Sequence, residues 1–238
     1  MQKIKKSIVV VFCYNVEENI FKIIKKIKKL QLNKNFDFLF LDDKSKDSTL
    51  NILKKNNLKN CKVIENKINQ GFGLNYKYSI KYAKKNNYKY IIFLHGDNQY
   101  PAEKISSIEK NLKNSSLCFG SRRLNKSSMI KNMPLIRYIA NVILTYLINL
   151  VFNNNASEYF SGFRGINLKY VKKINLDEYS NNWVIEQQIH FSFIKKKYRI
   201  SEIPINTKYE KNQVSMIPPF TYVLSVVKSV ILFSLFKF

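Results

Sequence analysis

Cysteine is scarce in this chain, whose 238 residues include three cysteines, at positions 13, 61 and 118. No two of them form a Cys-x-x-Cys pair with the spacing of metal ligands, which argues against a zinc site. Their odd number and wide separation argue equally against a disulfide framework. We therefore expect free thiols in a reducing compartment.

Long apolar runs are also missing from the sequence. No stretch reaches about 18 uninterrupted apolar residues, the length that a membrane-spanning helix typically needs. The N-terminus passes from a few lysines directly into residues 8–12, a run too short and too β-branched for a signal peptide and without a small-residue cleavage site. We expect this run to be the first β-strand of a cytoplasmic protein.

Acidic residues are few: 16 Asp and Glu stand against 41 Lys and Arg, so the formal net charge is +25. Such a charge suits nucleic acids, anionic bilayers and phosphate-rich substrates, because all of them are polyanions. An AT-rich coding sequence would also produce this mixture of Lys, Asn and Ile, so the charge alone selects no partner. The 45% hydrophobic content is enough to bury one sizeable core, which predicts one domain rather than a disordered or fibrous protein.

Apolar β-branched runs alternate along the chain with segments of helical period, and no internal repeat is present. This alternation is typical of βαβ units around a parallel sheet. After the first strand, Asn15 is expected to cap a helix together with Glu18. The predicted fold class is therefore α/β, with helices on a mostly parallel sheet. Its strands are predicted at residues 8–12, 38–41, 61–64, 90–94 and 117–121.

Polar residues follow the predicted strands where each strand ends. Asp42 and Asp43 follow the second strand, Gly71 comes after the third, and Asp97 follows the fourth. Ligands bind at the carboxyl ends of the strands in open α/β sheets, so the three acids are expected to converge on one crevice. Because close acids repel each other unless they bind a cation or a hydrogen-bonding ligand, the set predicts a binding site. Asp47 is interpreted as a turn or helix N-cap residue.

Short motifs in a fixed order carry a resemblance to a known family. They are YN at 14–15, LDDKSKDST at 41–49, NQGFG at 69–73, GDNQYP at 96–101, GSR at 120–122 and SGFR at 161–164. Each motif alone is weak, but their order and spacing resemble family 2 glycosyltransferases over nearly the whole chain. The sequence looks most like the branch of dolichol-phosphate mannose synthase and its bacterial polyprenyl-phosphate relatives. The resemblance implies a Rossmann-like GT-A fold, a nucleotide-diphosphate sugar donor and a divalent cation, Mn²⁺ or Mg²⁺.

The resemblance also implies roles for residues on the donor side of the site. Tyr14 would pack near the nucleotide base, and Asp43, together with Asp42, would accept hydrogen bonds from it. Gly71 belongs to the motif after the third strand and is assigned to the same site. These residues would together hold the nucleoside of the donor.

Cationic groups are expected around the donor diphosphate. Asp97 matches the second acid of the family's D-x-D element and would bind the metal ion, and Gln99 matches a further position on the metal side. Arg122 matches an arginine near the donor phosphates or the acceptor, and Arg164 of the SGFR motif is assigned to the same binding site. The chemistry requires such groups, because the leaving nucleoside diphosphate develops negative charge as the glycosidic bond breaks.

Two positions depart from the family pattern. Val16 stands where the family usually has a glutamate, which removes a polar contact near the nucleotide. His95 replaces the first acid of D-x-D. A neutral imidazole can ligate a metal and would favour Mn²⁺ over Mg²⁺. In the alternative interpretations, His95 only ends the strand while Asp97 holds the ion alone, or the protein is a catalytically impaired scaffold.

On the acceptor side, the resemblance points to the acidic motifs around Glu158 and Glu186. Either residue would serve as general base for a hydroxyl acceptor, since an alcohol must lose its proton to attack. A phosphate acceptor is already anionic and needs no base. In that case the basic residues Arg122, Arg137 and Lys208 would matter more.

Two mostly apolar segments suggest a membrane surface. Residues 133–152 and 220–236 are each interrupted by polar residues, Lys228 among them in the second, so interfacial helices are predicted in preference to membrane spans. The expected division is a catalytic domain at 1–212 and an apolar C-terminal helix at 213–238. The basic surface would assist attraction to an anionic leaflet, and the alternative is that both helices only cover the core.

The predicted function is inverting transfer of a sugar to a polyprenyl phosphate, glycolipid or other glycan acceptor at the inner face of a membrane. A sugar nucleotidyltransferase would share the sheet, but the Gly-rich pyrophosphorylase loop is missing near the N-terminus. No recognised RNA or DNA motif is present, so nucleic acid is not expected as a partner.

Overall fold

The computed structural model describes residues 5–31, 36–56, 58–124, 133, 135–207 and 219–235. The strands within them are β1 (Lys5–Cys13), β2 (Asp37–Asp42), β3 (Cys61–Glu65), β4 (Tyr88–His95), β5 (Leu117–Ser121), β6 (Arg164–Asn167) and β7 (Ile200–Pro204). They form one seven-stranded sheet in the order β3-β2-β1-β4-β6-β5-β7. In this sheet β6 runs antiparallel to β4 and β5, and the other pairs are parallel. The predicted α/β class with a mostly parallel sheet is confirmed.

Helices cover both faces of the sheet. They are α1 (Glu17–Gln31), α2 (Thr49–Lys55), α3 (Phe72–Lys85), α4 (Ile105–Leu112), α5 (Leu135–Phe152), α6 (Leu168–Val171), α7 (Ile185–Lys195) and α8 (Pro219–Leu235). Apolar side chains of α1, α2 and α4 pack on one face, and those of α3, α5, α7 and α8 pack on the other.

Strand β1 shows why the sheet needs cover on both sides. Ile8 and Val10 belong to one buried cluster, whereas Val9 and Val11 belong to the other. Successive strand residues point to opposite faces, so a run of consecutive apolar residues requires a hydrophobic layer on each. The run at residues 8–12 is therefore a strand, as predicted, and it lies in the interior of the sheet between β2 and β4.

The start of α1 differs from the prediction. Asn15 adopts a left-handed conformation, with φ of 51°, and its side chain accepts a hydrogen bond from the loop after β2. The first backbone N–H groups of the helix donate elsewhere: that of Val16 to Thr49 Oγ1 at 2.9 Å and that of Glu17 to Asp47 Oδ2 at 3.0 Å. The predicted capping by Asn15 was wrong, because a neighbouring loop supplies the acceptors.

Strands β6 and β7 were not predicted. β6 has 4 residues, among them an arginine, a glycine and an asparagine, and so lacks the β-branched run by which the other strands were found. It exists because β4 and β5 both pair with it: Ile166 lies opposite Ile91 on one side and Leu117 on the other. Long-range pairing, and not local propensity, makes this strand.

Two apolar helices leave much of their surface uncovered. α5 has 18 residues, is long and apolar enough to cross a membrane by length and composition, and is 17% buried within the structure. Its exposed side chains include Ile136 at 80% and Leu150 at 68%, and those of α8 include Phe220 at 74% and Leu235 at 72%. α8 packs against both α5 and α7. The two exposed faces thus belong to neighbouring helices.

Candidate active site

The register of the central strands brings the predicted acids to one edge of the sheet. Cys13 at the end of β1 pairs with Asp42 of β2, and the preceding Phe12 pairs with His95 of β4. Burial raises the pKa of the Cys13 thiol, and the charges of Asp42, Asp97 and Asp47 raise it further. Asp43 lies at the same strand end, where its backbone N–H donates to the carbonyl oxygen of Cys13 at 2.9 Å. Asp42, Asp43 and Asp97 thus share the carboxyl edge of the parallel strands, as expected.

Asp43 joins two loops of this edge. Its carboxylate accepts hydrogen bonds from the backbone N–H of Gln70 at 2.8 Å, from that of Gly71 at 2.9 Å and from the Asn66 side chain at 2.7 Å. Gly71 has a φ of 81° and directly precedes α3, so this contact sets the position of the α3 N-terminus. The sequence assigned Asp43 to the donor base; in the structure its carboxylate orders the loop that precedes α3.

The turn after β2 is held by side chains of its own motif. Asp42 is fully buried and accepts hydrogen bonds from the N–H and the hydroxyl of Ser45. Asp47 accepts from the N–H of Thr49, which confirms its interpretation as a turn residue. Tyr14 is half-buried at the end of β1, beside this turn. Asp42 and Asp47 thus hold the turn next to which Tyr14 follows β1.

Asp97 lies half-exposed in the turn that follows β4. Its Oδ1 accepts a hydrogen bond from the N–H of Gln99, also half-exposed, at 3.0 Å. Between them, Asn98 is left-handed, with φ of 60°, and its Oδ1 accepts from Lys26 Nζ of α1 at 2.7 Å. Helix α1 therefore fixes the turn that presents Asp97.

His95 faces inward from the end of β4. Its ring centroid lies 5.7 Å from that of Phe72 and 5.3 Å from that of Tyr100, and its Nε2 is buried without a hydrogen-bond partner. A Cβ at Gly162 would lie 2.9 Å from that nitrogen. This aromatic enclosure does not favour His95 as a metal ligand.

The described residues suit a divalent cation that is bound by Asp97 and by a ligand, and not one enclosed by protein ligands alone. Among the residues that the structure describes, no three His, Cys, Asp or Glu side chains are grouped closely enough to hold a metal ion. Mg²⁺ is usually bound by about one or two carboxylates together with substrate phosphates. The half-exposed carboxylate of Asp97 can supply the protein's part of such a site.

Arg122 and Glu158 form an ion pair in the interior. Glu158 is completely buried, and both of its oxygens accept hydrogen bonds from Arg122, from the backbone N–H and from the guanidinium, with Nε to Oε2 at 3.0 Å. Predicted as a candidate base, Glu158 lies beneath the arginine predicted to meet the donor phosphates. Its contacts are those of a residue that orients Arg122.

The Arg164 side chain is bound by hydrogen bonds to the backbone around it. Its side chain is 1% exposed and donates to the carbonyl oxygens of Ser161, Tyr159 and Glu186. The guanidinium also lies 3.5 Å from the Glu186 carboxylate. The structure therefore places Arg164 under the site, where it braces the start of α7.

Glu186 lies in the first turn of α7, buried at 6% exposure. Burial raises the pKa of its carboxyl group, and the nearby charges of Arg164 and His95 lower it in part. Its Oε1 has no hydrogen-bond partner. A buried carboxyl group of raised pKa, held by one arginine, has the character of a general base.

The remaining predicted residues lie apart from this cluster or outside the described ranges. Arg137 is half-exposed near the start of α5. Lys208 lies outside the described residues. No described contact joins Arg137 to the acids at the sheet edge, so its predicted role in binding an acceptor phosphate stays a prediction.

Sequence reasoning missed residues that set the position of the acceptor side. Lys77 of α3 donates to the Asn181 side chain at 2.7 Å and to the carbonyl of Tyr179. These bonds hold the loop that leads to Trp183 and Glu186, and burial lowers the pKa of Lys77. A lysine on a helix carries no signal of this role in a chain with so many lysines.

A family model described as glycosyl transferase family 2 matches residues 8–175. A protein of Methanocaldococcus jannaschii named Uncharacterized protein MJ0544 is 31% identical over 240 residues, which cover 95% of this chain and 98% of that protein. The family match spans every predicted donor-site residue and reaches Glu158 and Arg164.

Solved structures share the fold. Glucosyl-3-phosphoglycerate synthase from Mycobacterium tuberculosis, in complex with Mn²⁺, UDP and phosphoglyceric acid, is similar with a TM-score of 0.71 and 11% identity, over 98% of this chain and 80% of that chain. S. aureus TarS in complex with UDP-GlcNAc is similar with a TM-score of 0.63 and 18% identity, over 97% of this chain and 66% of that chain. The chain therefore belongs to glycosyltransferase family 2 and has the GT-A fold of those enzymes.

Proposed function

We propose that this enzyme transfers a sugar, with inversion, from a nucleoside-diphosphate donor to a lipid-linked acceptor at the inner face of a membrane. The observation that carries the proposal is the buried Glu186 carboxylate, whose Oε1 accepts no hydrogen bond and lies 3.5 Å from Arg164 Nε. A base for the acceptor is thus available in the domain whose sheet edge presents Asp97.

The donor is expected between the Asp43 loop and Asp97. Its nucleoside would lie beside Tyr14 and the loop that Asp43 holds at Gly71. Bound at Asp97 with the diphosphate, Mn²⁺ or Mg²⁺ would neutralise the negative charge of the leaving group. The Mycobacterium tuberculosis synthase, which is similar in fold, was crystallised with Mn²⁺ and UDP. Arg122, whose charge is paired with Glu158, would act there by donating hydrogen bonds to the diphosphate.

The reaction is a single displacement. An acceptor oxygen forms a bond to the anomeric carbon while the bond from that carbon to the diphosphate oxygen breaks, and the nucleoside diphosphate leaves with the electron pair. With a hydroxyl acceptor, the Glu186 carboxylate takes the proton, for which its raised pKa suits it. With a phosphate acceptor no proton is removed, and Arg122 and Arg137 would attract the acceptor instead.

The uncovered faces of α5 and α8 support action at a membrane. Within the described parts of these two helices, Arg137 and Lys228 are the charged residues, both cationic, and the exposed remainder is largely apolar. Such a surface suits the boundary between headgroups and acyl chains of an anionic leaflet. It also fits the polyprenyl-phosphate branch that the motifs resemble. The division of the chain into a catalytic domain at 1–212 and an apolar C-terminal helix at 213–238 is part of this proposal.

A catalytically impaired scaffold is the second candidate function. Val16 and the enclosed His95 favour it, because both depart from the family's polar contacts to the nucleotide. Donor binding with cation dependence would argue against this alternative, and its complete absence would argue for it.

Thermal stabilisation by a panel of UDP-, GDP-, CMP- and dTDP-sugars, with and without Mn²⁺, tests the proposal. A ligand that binds only the folded state raises the melting temperature, by about 2.7 kcal/mol of stability at a hundredfold excess over Kd. We expect a Mn²⁺-dependent shift with one nucleotide, lost in Asp97→Ala and kept in Asp177→Ala, which removes an exposed acid. No shift with any donor would contradict the proposal.

A further inference from the structure

One side chain of the apolar helix α8 reaches the acceptor side of the site. Tyr222 lies in the first turn of α8, and its hydroxyl oxygen accepts a hydrogen bond from Gln187 Nε2 at 3.4 Å. Gln187 directly follows Glu186 in the chain. The ring of Tyr222 packs edge-on against Phe160, with centroids 5.9 Å apart. Tyr222 is therefore held against Gln187 of α7 and against Phe160.

The charges around the Tyr222 hydroxyl come from separate motifs of the family. Burial raises the pKa of Tyr222, Glu186 raises it further, Arg122 and Arg164 lower it, and Tyr100 raises it. These residues come from the loops after β4 and β5, from β6 and from α7. The hydroxyl therefore stays protonated. The Gln187 amide that it bonds also donates to the Tyr159 carbonyl oxygen, which Arg164 bonds as well, so hydrogen bonds link Tyr222 to the acceptor-side motifs.

Polar contacts set the register of α8 against α7. Besides the Gln187 contact, Gln188 Nε2 donates to Ser229 Oγ at 3.1 Å and Lys195 Nζ donates to the carbonyl oxygen of Phe233 at 2.6 Å. Contacts at the start, middle and end of α8 prevent it from sliding along α7. The position of Tyr222 relative to Glu186 is thus built into the fold.

The outer face of the same helix is apolar. Its exposed large hydrophobic side chains recur at helical spacing along one stripe: Phe220, Leu224, Val227, Ile231 and Leu235. Tyr222 turns towards the site while this stripe turns away from it. A lipid-linked acceptor lying against the stripe would bring its head group to the Tyr222 end.

We propose that Tyr222 is an acceptor-binding residue, whose hydroxyl hydrogen is donated to the acceptor head group beside Glu186. The contact with Gln187 uses the phenol oxygen as acceptor, so its hydrogen can be donated to a ligand. The inference rests on the proposed lipid-linked acceptor. It adds α8 to the active site, since the helix contributes a hydrogen-bond donor as well as an apolar surface.

Tyr222→Phe removes the hydroxyl and keeps the ring packed on Phe160. Tyr146→Phe is the matched control, because Tyr146 is a 68% exposed tyrosine on the other apolar helix. Initial rates would be measured on the full chain in detergent, with farnesyl phosphate and with an alkyl glycoside as acceptors. For the acceptor that the wild type uses, we expect Tyr222→Phe to raise KM or lower kcat/KM about tenfold or more, as for loss of a hydrogen bond to a charged or reacting group.

Donor binding and vesicle binding separate this role from a structural one. We expect the donor-induced melting shift and the binding to lipid vesicles to be unchanged in Tyr222→Phe. Equal acceptor kinetics in Tyr222→Phe and Tyr146→Phe would overturn the inference and leave the proposed function standing. A wild type that hydrolyses the donor but uses neither lipid acceptor would overturn both the acceptor class and the role of Tyr222.

Discussion

Arg122 and Glu158 make a buried ion pair, with Nε of the arginine 3.0 Å from Oε2 of the glutamate and with no part of Glu158 exposed. The two residues are separated by 36 positions in the chain and meet where β5 ends. A buried pair gains little over an apolar one, but loss of one member leaves an uncompensated charge. This relationship favours Glu186 over Glu158 as the proposed base, because it engages both oxygens of Glu158.

Glu158→Gln should therefore act mainly by lowering the stability of the fold, and not by removing a base from the reaction. Breaking a buried pair typically costs about 3–5 kcal/mol, so we expect a large fall in the free energy of unfolding, measured by urea denaturation. The matched comparison is Glu186→Gln. If Glu158→Gln kept full stability and abolished transfer, the base would be Glu158 and our assignment would be wrong.

Glu186→Gln should abolish transfer to a hydroxyl acceptor and spare donor binding. Removing a general base typically lowers the rate about 10²–10⁴-fold, which steady-state rates with an alkyl glycoside would detect. A phosphate acceptor needs no base, so transfer to farnesyl phosphate should fall far less. Equal losses with both acceptors would indicate that Glu186 acts in positioning.

The raised pKa of Glu186 predicts a pH dependence of stability. The folded state holds this proton more tightly than the unfolded state, so the stabilising contribution is full below the unfolded pKa and is lost as pH rises through the folded pKa. Relative to the wild type, the melting temperature of Glu186→Gln should therefore rise as the pH increases from acid to neutral. Melting curves of both proteins across pH would reveal the opposite trend if the carboxylate were stabilised by its surroundings.

Gly73→Ala should displace the acceptor-side loop. A Cβ at Gly73 would lie 2.2 Å from the carbonyl carbon of Asn181, and backbone cannot yield as a flexible side chain can. Overpacking of this kind costs about 1–3 kcal/mol. We expect reduced stability and a higher KM for the acceptor.

Gly71→Ala is the control for that substitution. Gly71 has a φ of 81° but nothing within 4 Å of an added Cβ, so the change strains the backbone without a clash. Its effect should fall on donor binding, because Gly71 N–H bonds Asp43. Donor and acceptor KM values would be measured on both variants. Equal changes in the two variants would contradict the assignment of Gly71 to the donor side and Gly73 to the acceptor side.

Replacement of Leu224, Val227 and Ile231 by serine should weaken membrane binding. Each such side chain contributes about 1.5–3 kcal/mol when fully buried, so flotation with anionic vesicles should decrease steeply. The control Ile68→Ser changes an exposed side chain outside these helices. Unchanged flotation of the triple variant would exclude the α8 stripe as a membrane contact.

The central strands, and the acidic residues that follow them in the chain, could be predicted from the sequence. Residues 8–12 and 90–94 are continuous β-branched and aromatic runs, and such runs form central parallel strands in most environments. Once the strands are parallel, their carboxyl ends share one edge, so Asp42 and Asp97 had to lie near each other. Local pattern and a general rule of topology were sufficient.

Only the tertiary structure decided which of the candidate side chains hold the fold. Asp43, Arg164 and Glu158 have the same chemistry as ligand-binding residues, yet each bonds groups brought to it by distant segments. The inward turn of His95 and the approach of Tyr222 to Gln187 depend on how separate helices pack on the sheet. Sequence spacing does not encode the register between helices, because packing over the whole core sets it.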